Sequence, residues 1–216
     1  MDEDADESGP IVAETKNWDL FKERWYEVAD LHDSGDIAGA VFQLKRLASE
    51  GFAPALAELG DKYETGGGGI EMDWSEAVDW YKKSVETTDD VRSHLGLARI
   101  YLQSKELDPD RTLSFYHLKL LADSDIMAGW FGLGLAHQHG IGTDIDLDAA
   151  ENCFRRAIDK GHLVAGTHLA HILLTTGRPG GFKTALRFMP RVLLTKLFRR
   201  GDPRLGLEYE PVAAER

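Results

Sequence analysis

The sequence predicts an all-α fold, a solenoid of antiparallel helix hairpins, on two repeated markers and the breaks between them. In the first marker a small residue precedes a bulky pair by three and four positions: Ala77 before Trp80 and Tyr81, Thr112 before Phe115 and Tyr116, Ala150 before Cys153 and Phe154, Ala185 before Phe188 and Met189. From 80 to 115, 153 and 188 the pair steps by 35, 38 and 35 residues. The second marker, a leucine followed by a small residue, recurs at Leu59-Gly60, Leu97-Ala98, Leu133-Gly134 and Leu169-Ala170, in steps of 38, 36 and 36. Two independent markers in register at this period are the signature of stacked repeats.

Each element of a unit follows from local chemistry. Spacings of three and four, as in Leu59 with Tyr63 or Ala77 with Trp80, Tyr81 and Ser84, place these residues on one helical face. Between the markers lie Gly66–Gly69, Ser104–Pro109, Gly140–Thr143 and Gly177–Gly181. Stretches of this kind interrupt a helix. Asp73 and Asp146 stand where a carboxylate caps the exposed N–H groups of a second helix. A first hairpin, roughly Trp18–Glu50, keeps Gly35, Ala40, Leu47, Ala48 and Gly51 around a shorter turn.

These residues resemble the Sel-one-like repeat, a relative of the tetratricopeptide repeat with a longer loop inside each hairpin. The best match runs from Leu133-Gly134 through Gly140, Gly142, Asp146, Ala150, Phe154, Arg156 and Ala157 to Gly161-His162 and Ala165. A second runs from Ala55 and Leu59-Gly60 through Tyr63, Gly66, Asp73 and Ala77 to Trp80-Tyr81 and Lys83. The unit from Leu97 to Asp125 departs from the pattern because Gln103–Asp110 lacks glycine, and the final unit lacks both the tyrosine and the aspartate. The resemblance implies a right-handed superhelical α/α solenoid of about five hairpins over residues 17–190, between an acidic disordered tail, 1–16, and a basic C-terminal helix and tail, 191–216.

Composition bounds the function. The chain has 216 residues, 43% hydrophobic and 29% charged, with a formal net charge of -12. That acidity argues against nucleic acid, whose recognition needs a concentrated basic face. Met1–Glu14 holds six acids and no base, unlike a secretory signal, and the expected compartment is the cytoplasm. Cys153 stands in the packing column of Trp80 and Phe115, so burial explains it better than nucleophilic chemistry, which needs an exposed, electropositive thiolate.

Other chemistries are weakly supported. His94, His137, His139, His168 and His171 fall on first helices without the short, regular spacing of a zinc site. Asp144, Asp146 and Asp148 alternate like a calcium loop, but Ala149 and Arg155 occupy its glycine and closing carboxylate positions. Gly66–Gly69 lacks the following lysine of a phosphate loop, and Gly132 and Gly134 lie inside a helix. No enzyme, cofactor or metal is expected.

The partner expected is another protein. By the resemblance, the residue after the small marker faces a concave groove, which gives Asp61, Arg99, Leu135 and His171. One turn on come Glu64, Leu102, Gln138 and Leu174, then Thr65, Gln103, His139 and Thr175. The mixture suits an extended peptide or a helix, and the resemblance implies a bacterial-type assembly or regulatory pathway. Arg178–Arg204 carries eight bases against Asp202 alone. There Leu186, Met189, Leu193, Leu194 and Leu197 share a face, with Arg187, Arg191, Lys196, Arg199 and Arg200 around much of the rest. This segment reads in three ways: a cap on the last repeat, a docking helix for a protein, or an interfacial helix on anionic lipid.

Overall fold

Hydrogen-bonded helix is the only regular structure among the described residues, 10–104, 106–108 and 111–198 of a computed structural model. The helices are α1 (Pro10–Asp33), α2 (Ile37–Ser49), α3 (Ala53–Thr65), α4 (Trp74–Thr88), α5 (Val91–Gln103), α6 (Thr112–Asp123), α7 (Met127–His139), α8 (Leu147–Asp159), α9 (Leu163–Thr175) and α10 (Gly181–Phe198). The all-α hairpin architecture is therefore present. The chain divides into two compact units within α5, between Gly96 and Leu97. In the first, α2 packs on α1 and α3, and α3 on α4. In the second, consecutive helices from α6 to α10 pack on one another.

The hairpins start and stop where the sequence chemistry places the signals. Asp73 accepts hydrogen bonds from the N–H groups of Ser75 and Glu76, and Asp146 from those of Asp148 and Ala149. Gly66 and Gly140 end α3 and α7 in the left-handed region, at φ 71° and 68°. Each long loop is closed by one backbone bond, from Asp73 N–H to Tyr63 C=O and from Asp146 N–H to His137 C=O. In the glycine-free loop the buried Asp108 accepts from Ser114 N–H, in the first turn of α6, at 3.0 Å.

Packing rests on large side chains pressed against small backbone positions. In the first unit the Tyr81 ring lies between Gly60 of α3 and Gly96 of α5, so closely that a Cβ at either glycine would run into it. In the second unit Leu118 presses on Gly132, Phe154 on Gly134 and Phe188 on Gly166.

These contacts correct the register of two units. In α6 the buried residues are Ser114, His117, Leu118, Leu121 and Ala122, while Tyr116 is 55% exposed. The pair in the packing column is thus His117-Leu118, not Phe115-Tyr116. The column residues Tyr81, Leu118, Phe154 and Phe188 step by 37, 36 and 34. The small residue ahead of the pair is Ser114, whose hydroxyl donates to Ala98 C=O at 2.9 Å and so tolerates full burial. In α10 Phe188 takes the packing position and Met189 is exposed.

Helix α1 already begins at Pro10, inside the stretch expected as tail, and α10 runs unbroken through Pro190 to Phe198. Its Leu186, Met189 and Leu193 face is exposed, and Phe188 on another face makes the packing contact.

Gly60→Val and Gly134→Val should each destabilise the chain by about 1–3 kcal/mol or more, because a buried ring leaves no room for the added carbons. Gly67→Ala should stay within about 0.5 kcal/mol. Urea unfolding of the three variants compares them.

Candidate functional site

In the first unit the groove candidates are engaged internally. The Tyr81 ring that packs on Gly60 ends in a hydroxyl lying 2.5 Å from Asp61 Oδ1 and 2.7 Å from Glu64 Oε2. Arg92 Nη1 lies 3.2 Å from both Glu58 Oε2 and Asp61 Oδ2, and its Nη2 donates to Pro54 C=O at 3.3 Å. Burial raises the Asp61 carboxyl above its usual range against the opposing pull of Tyr81 and Arg92. The Tyr81 hydroxyl is pushed far up, first by burial and then by Asp61 and Glu64, and stays protonated. Asp61 and Glu64 are thus members of a half-buried polar network.

In the second unit Arg99, Gln103 and Leu135 come together. With Ala98, Leu102, Leu118, Phe131, Gly132, Ala136 and Ile141 they line a cavity of about 190 Å³. Its origin is a packing substitution. Where Tyr81 and Phe154 put a ring against the preceding small residue, Leu118 puts a shorter aliphatic chain between Ala98 and Gly132. The unfilled volume opens under the column residues of α5 and α7. Leu135 is buried and Gln103 is exposed, and the mostly apolar lining includes the polar residues Arg99 and Gln103.

The remaining candidates form a histidine group. Gln138 Oε1 lies 3.0 Å from His168 Nδ1, and the His168 ring stacks on Phe154 with centroids 5.3 Å apart. Burial lowers His168 to about 4, with His139 and His171 adding to the effect. His139 is lowered by its own burial and by His171. Thr65 and Thr175 return their hydroxyls to Asp61 C=O and His171 C=O within their own helices. Of the C-terminal set, Arg187, Arg191 and Leu193 are exposed on α10. Lys196 and Leu197 fall within that helix, and Arg199 and Arg200 lie outside the described residues.

Two features were not anticipated. His162 is 1% exposed. It caps α9 by accepting from Ala165 N–H at its Nδ1, at 3.1 Å, and stacks on Phe131 with centroids 4.0 Å apart. Its Nε2 is buried without a hydrogen-bond partner, and burial pushes it down to about 4. Its position directly after Gly161 and before a helix is the available signal. The second feature is the polar role of the Tyr81 tip. Cys153 is buried, and burial raises its thiol to about 11, far from nucleophilic poise. Among the described residues no group of three His, Cys, Asp or Glu side chains is placed to hold a metal ion, and no helix is long and apolar enough to cross a membrane.

A succession of helix hairpins, packed through fixed columns and presenting a variable column on each first helix, defines a helical-repeat protein of the tetratricopeptide-like class. Residues 53–86, 91–125 and 131–162 match the Sel1 repeat, so the chain carries three Sel1 repeats. The divergent second unit is among the matched spans, whereas α1–α2 and α9–α10 lie outside them. An uncharacterized protein of Neisseria meningitidis is 30% identical over 60% of this chain and 26% of its own length. The chitin synthase regulator SKT5 of Saccharomyces cerevisiae is 28% identical over 62% of this chain and 22% of its own. The chain thus spans about a quarter of these relatives, which are bacterial and fungal alike. Among solved structures, the c5321 protective antigen of uropathogenic Escherichia coli, which displays an SLR fold, superposes with a TM-score of 0.62 at 20% identity, covering 76% of this chain and 37% of that one. Sel1 repeat proteins generally mediate protein–protein interaction.

His162 and His168 contribute to the acid response of the second unit. Both have folded values below the ordinary 6.5 of histidine. The unfolded chain therefore binds more protons between about pH 6.5 and 4, and stability present above that window is lost as pH falls through it. The loss from His162 alone is on the order of 3 kcal/mol. Urea midpoints at pH 7 and 4.5 should differ less in His162→Asn, which keeps a capping side chain and removes the titration.

Proposed function

We propose that the chain is a non-catalytic adaptor and that its second unit holds a peptide or helix of a partner protein at the α5–α7 cavity. The observation that carries this reading is the cavity left by Leu118, bordered by Arg99, Gln103 and Leu135. An apolar side chain of the partner occupies the volume and removes its lining from contact with water. The Arg99 guanidinium and the Gln103 amide receive carbonyl or carboxylate groups of the same segment. His139, His171 and Gln138, on the neighbouring first helices, extend the surface with polar contacts. The regulator named among the relatives suits a chain that acts by binding.

The test captures partners on the full-length chain, identifies them by mass spectrometry, and compares variants. Arg99→Ala with Gln103→Ala should weaken capture of the identified partner about tenfold or more, the size expected for hot-spot truncation. Leu118→Phe should fill the cavity, keep or raise stability, and block capture. Unchanged capture by both variants would move the site elsewhere, and recovery of a bound small molecule in place of a protein would defeat the adaptor reading.

A further inference from the structure

Helix α10 differs from every other second helix in one column. Aligned on the packing residues Tyr81, Phe154 and Phe188, the positions on its outer side are Phe182, Leu186, Met189 and Leu193. All four are exposed, between 58% and 76%. The same positions are Ser75, Asp79, Lys82 and Glu86 in α4, and Asp148, Asn152, Arg155 and Asp159 in α8, all exposed. In α2 and α6 the column holds a single large apolar residue each, Phe42 and Tyr116.

Repeat stacking does not account for this stripe. Helices α2, α6 and α8 each pack against the first helix that follows them, yet their outer column remains exposed. A further hairpin stacked on α10 in the same manner would likewise leave Phe182, Leu186, Met189 and Leu193 uncovered. The stripe is therefore an addition to the packing code, on a face that this fold ordinarily gives to water.

Charge selects the occupant. Within Gly181–Phe198 the bases are Lys183, Arg187, Arg191 and Lys196, and there is no acid. The chain as a whole carries a formal net charge of -12. Lys183, Arg187 and Arg191 are exposed and, at spacings of four, run along one edge of the helix beside the apolar stripe. Four large side chains projecting from a single helix form a ridge. A ridge with a basic edge fits a surface that yields to apolar groups and is negatively charged alongside them, which describes the headgroup–acyl boundary of an anionic bilayer.

We propose that the outer face of α10 is a peripheral docking surface for anionic membrane lipid. Phe182, Leu186, Met189 and Leu193 enter the interface while Lys183 and Arg187 pair with lipid phosphates. The acidic remainder of the chain is repelled by the same surface, so only this face engages it.

Vesicle flotation of the full-length chain tests the assignment, with phosphatidylcholine alone and with added phosphatidylglycerol. The chain should float only with phosphatidylglycerol and be released by salt. Lys183→Gln with Arg187→Gln should weaken partition about fivefold per base, and Leu186→Ser with Leu193→Ser at least tenfold. Unchanged thermal melting checks that these exposed substitutions leave the fold intact. Wild type that stays unbound with anionic vesicles, or variants that float as wild type does, would overturn the proposal. Without flotation, self-association lost in the serine variant would assign the stripe to a second copy, and capture of an acidic protein through it would assign it to a protein partner. Either result also overturns the lipid assignment.

Discussion

The constraint on which the rest depends is the close approach of a second helix to a backbone without side chains. Tyr81 can lie between α3 and α5 only because residues 60 and 96 are glycines. The equivalent seats are Gly132 for Leu118 and Gly134 for Phe154. Such contacts set helix separation at interior packing density, where even one added methylene is felt. They also fix rotation, since a ring seated on a glycine determines which positions of that helix face outward. Caps, loops and exposed columns all follow from these seats. The shared bond from the capping aspartate to the end of the first helix, Asp73 to Tyr63 and Asp146 to His137, holds each loop in one geometry so that the seat is reached.

The all-helical hairpin architecture, the caps at Asp73 and Asp146 and the glycine stops at Gly66 and Gly140 were legible in the sequence because each is a local requirement of backbone chemistry. The register of α6 was not. Leu113, Phe115, Tyr116, Leu118, Leu120 and Leu121 give that helix apolar residues all around, so periodicity does not single out a face. The choice is made by Gly129 and Gly132 on α7, against which Leu121 and Leu118 fit. In α10 an amphipathic pattern was visible, but which of its apolar residues meets α9 depends on Gly166, a tertiary partner that helix periodicity does not name.

The candidate site was legible to the same extent and for the same reason. Counting one residue past the small marker located Arg99 and Leu135, and counting further located Gln103, because the column positions are fixed by the repeat. What those residues do is decided by neighbours from the other helix of the hairpin. Asp61 and Glu64 stand as charged readers in the sequence, but Tyr81 and Arg92 engage them. Gln138 stands as a free amide, but His168 engages it. The burial of His162 arises from the stack on Phe131, whose place depends in turn on the α7–α8 contact.

The tip of the packing residue therefore sets the chemistry of the column above it. A tyrosine carries a hydroxyl out of the core, and the first helix answers with two carboxylates, Asp61 and Glu64. Phe154 has no hydroxyl to offer, and the equivalent positions on α7 are a leucine and an amide, Leu135 and Gln138. Leu118 is shorter than either aromatic, and the positions on α5 are Arg99 and Leu102 over a cavity. The three seats differ in how far their side chain reaches. That difference converts a repeated packing code into unlike surfaces, one closed by its own network, one carrying an amide and histidines, and one left open. The cavity beside Arg99, Gln103 and Leu135 arises where a packing residue falls short, and it lies in the divergent repeat rather than the best-matched one.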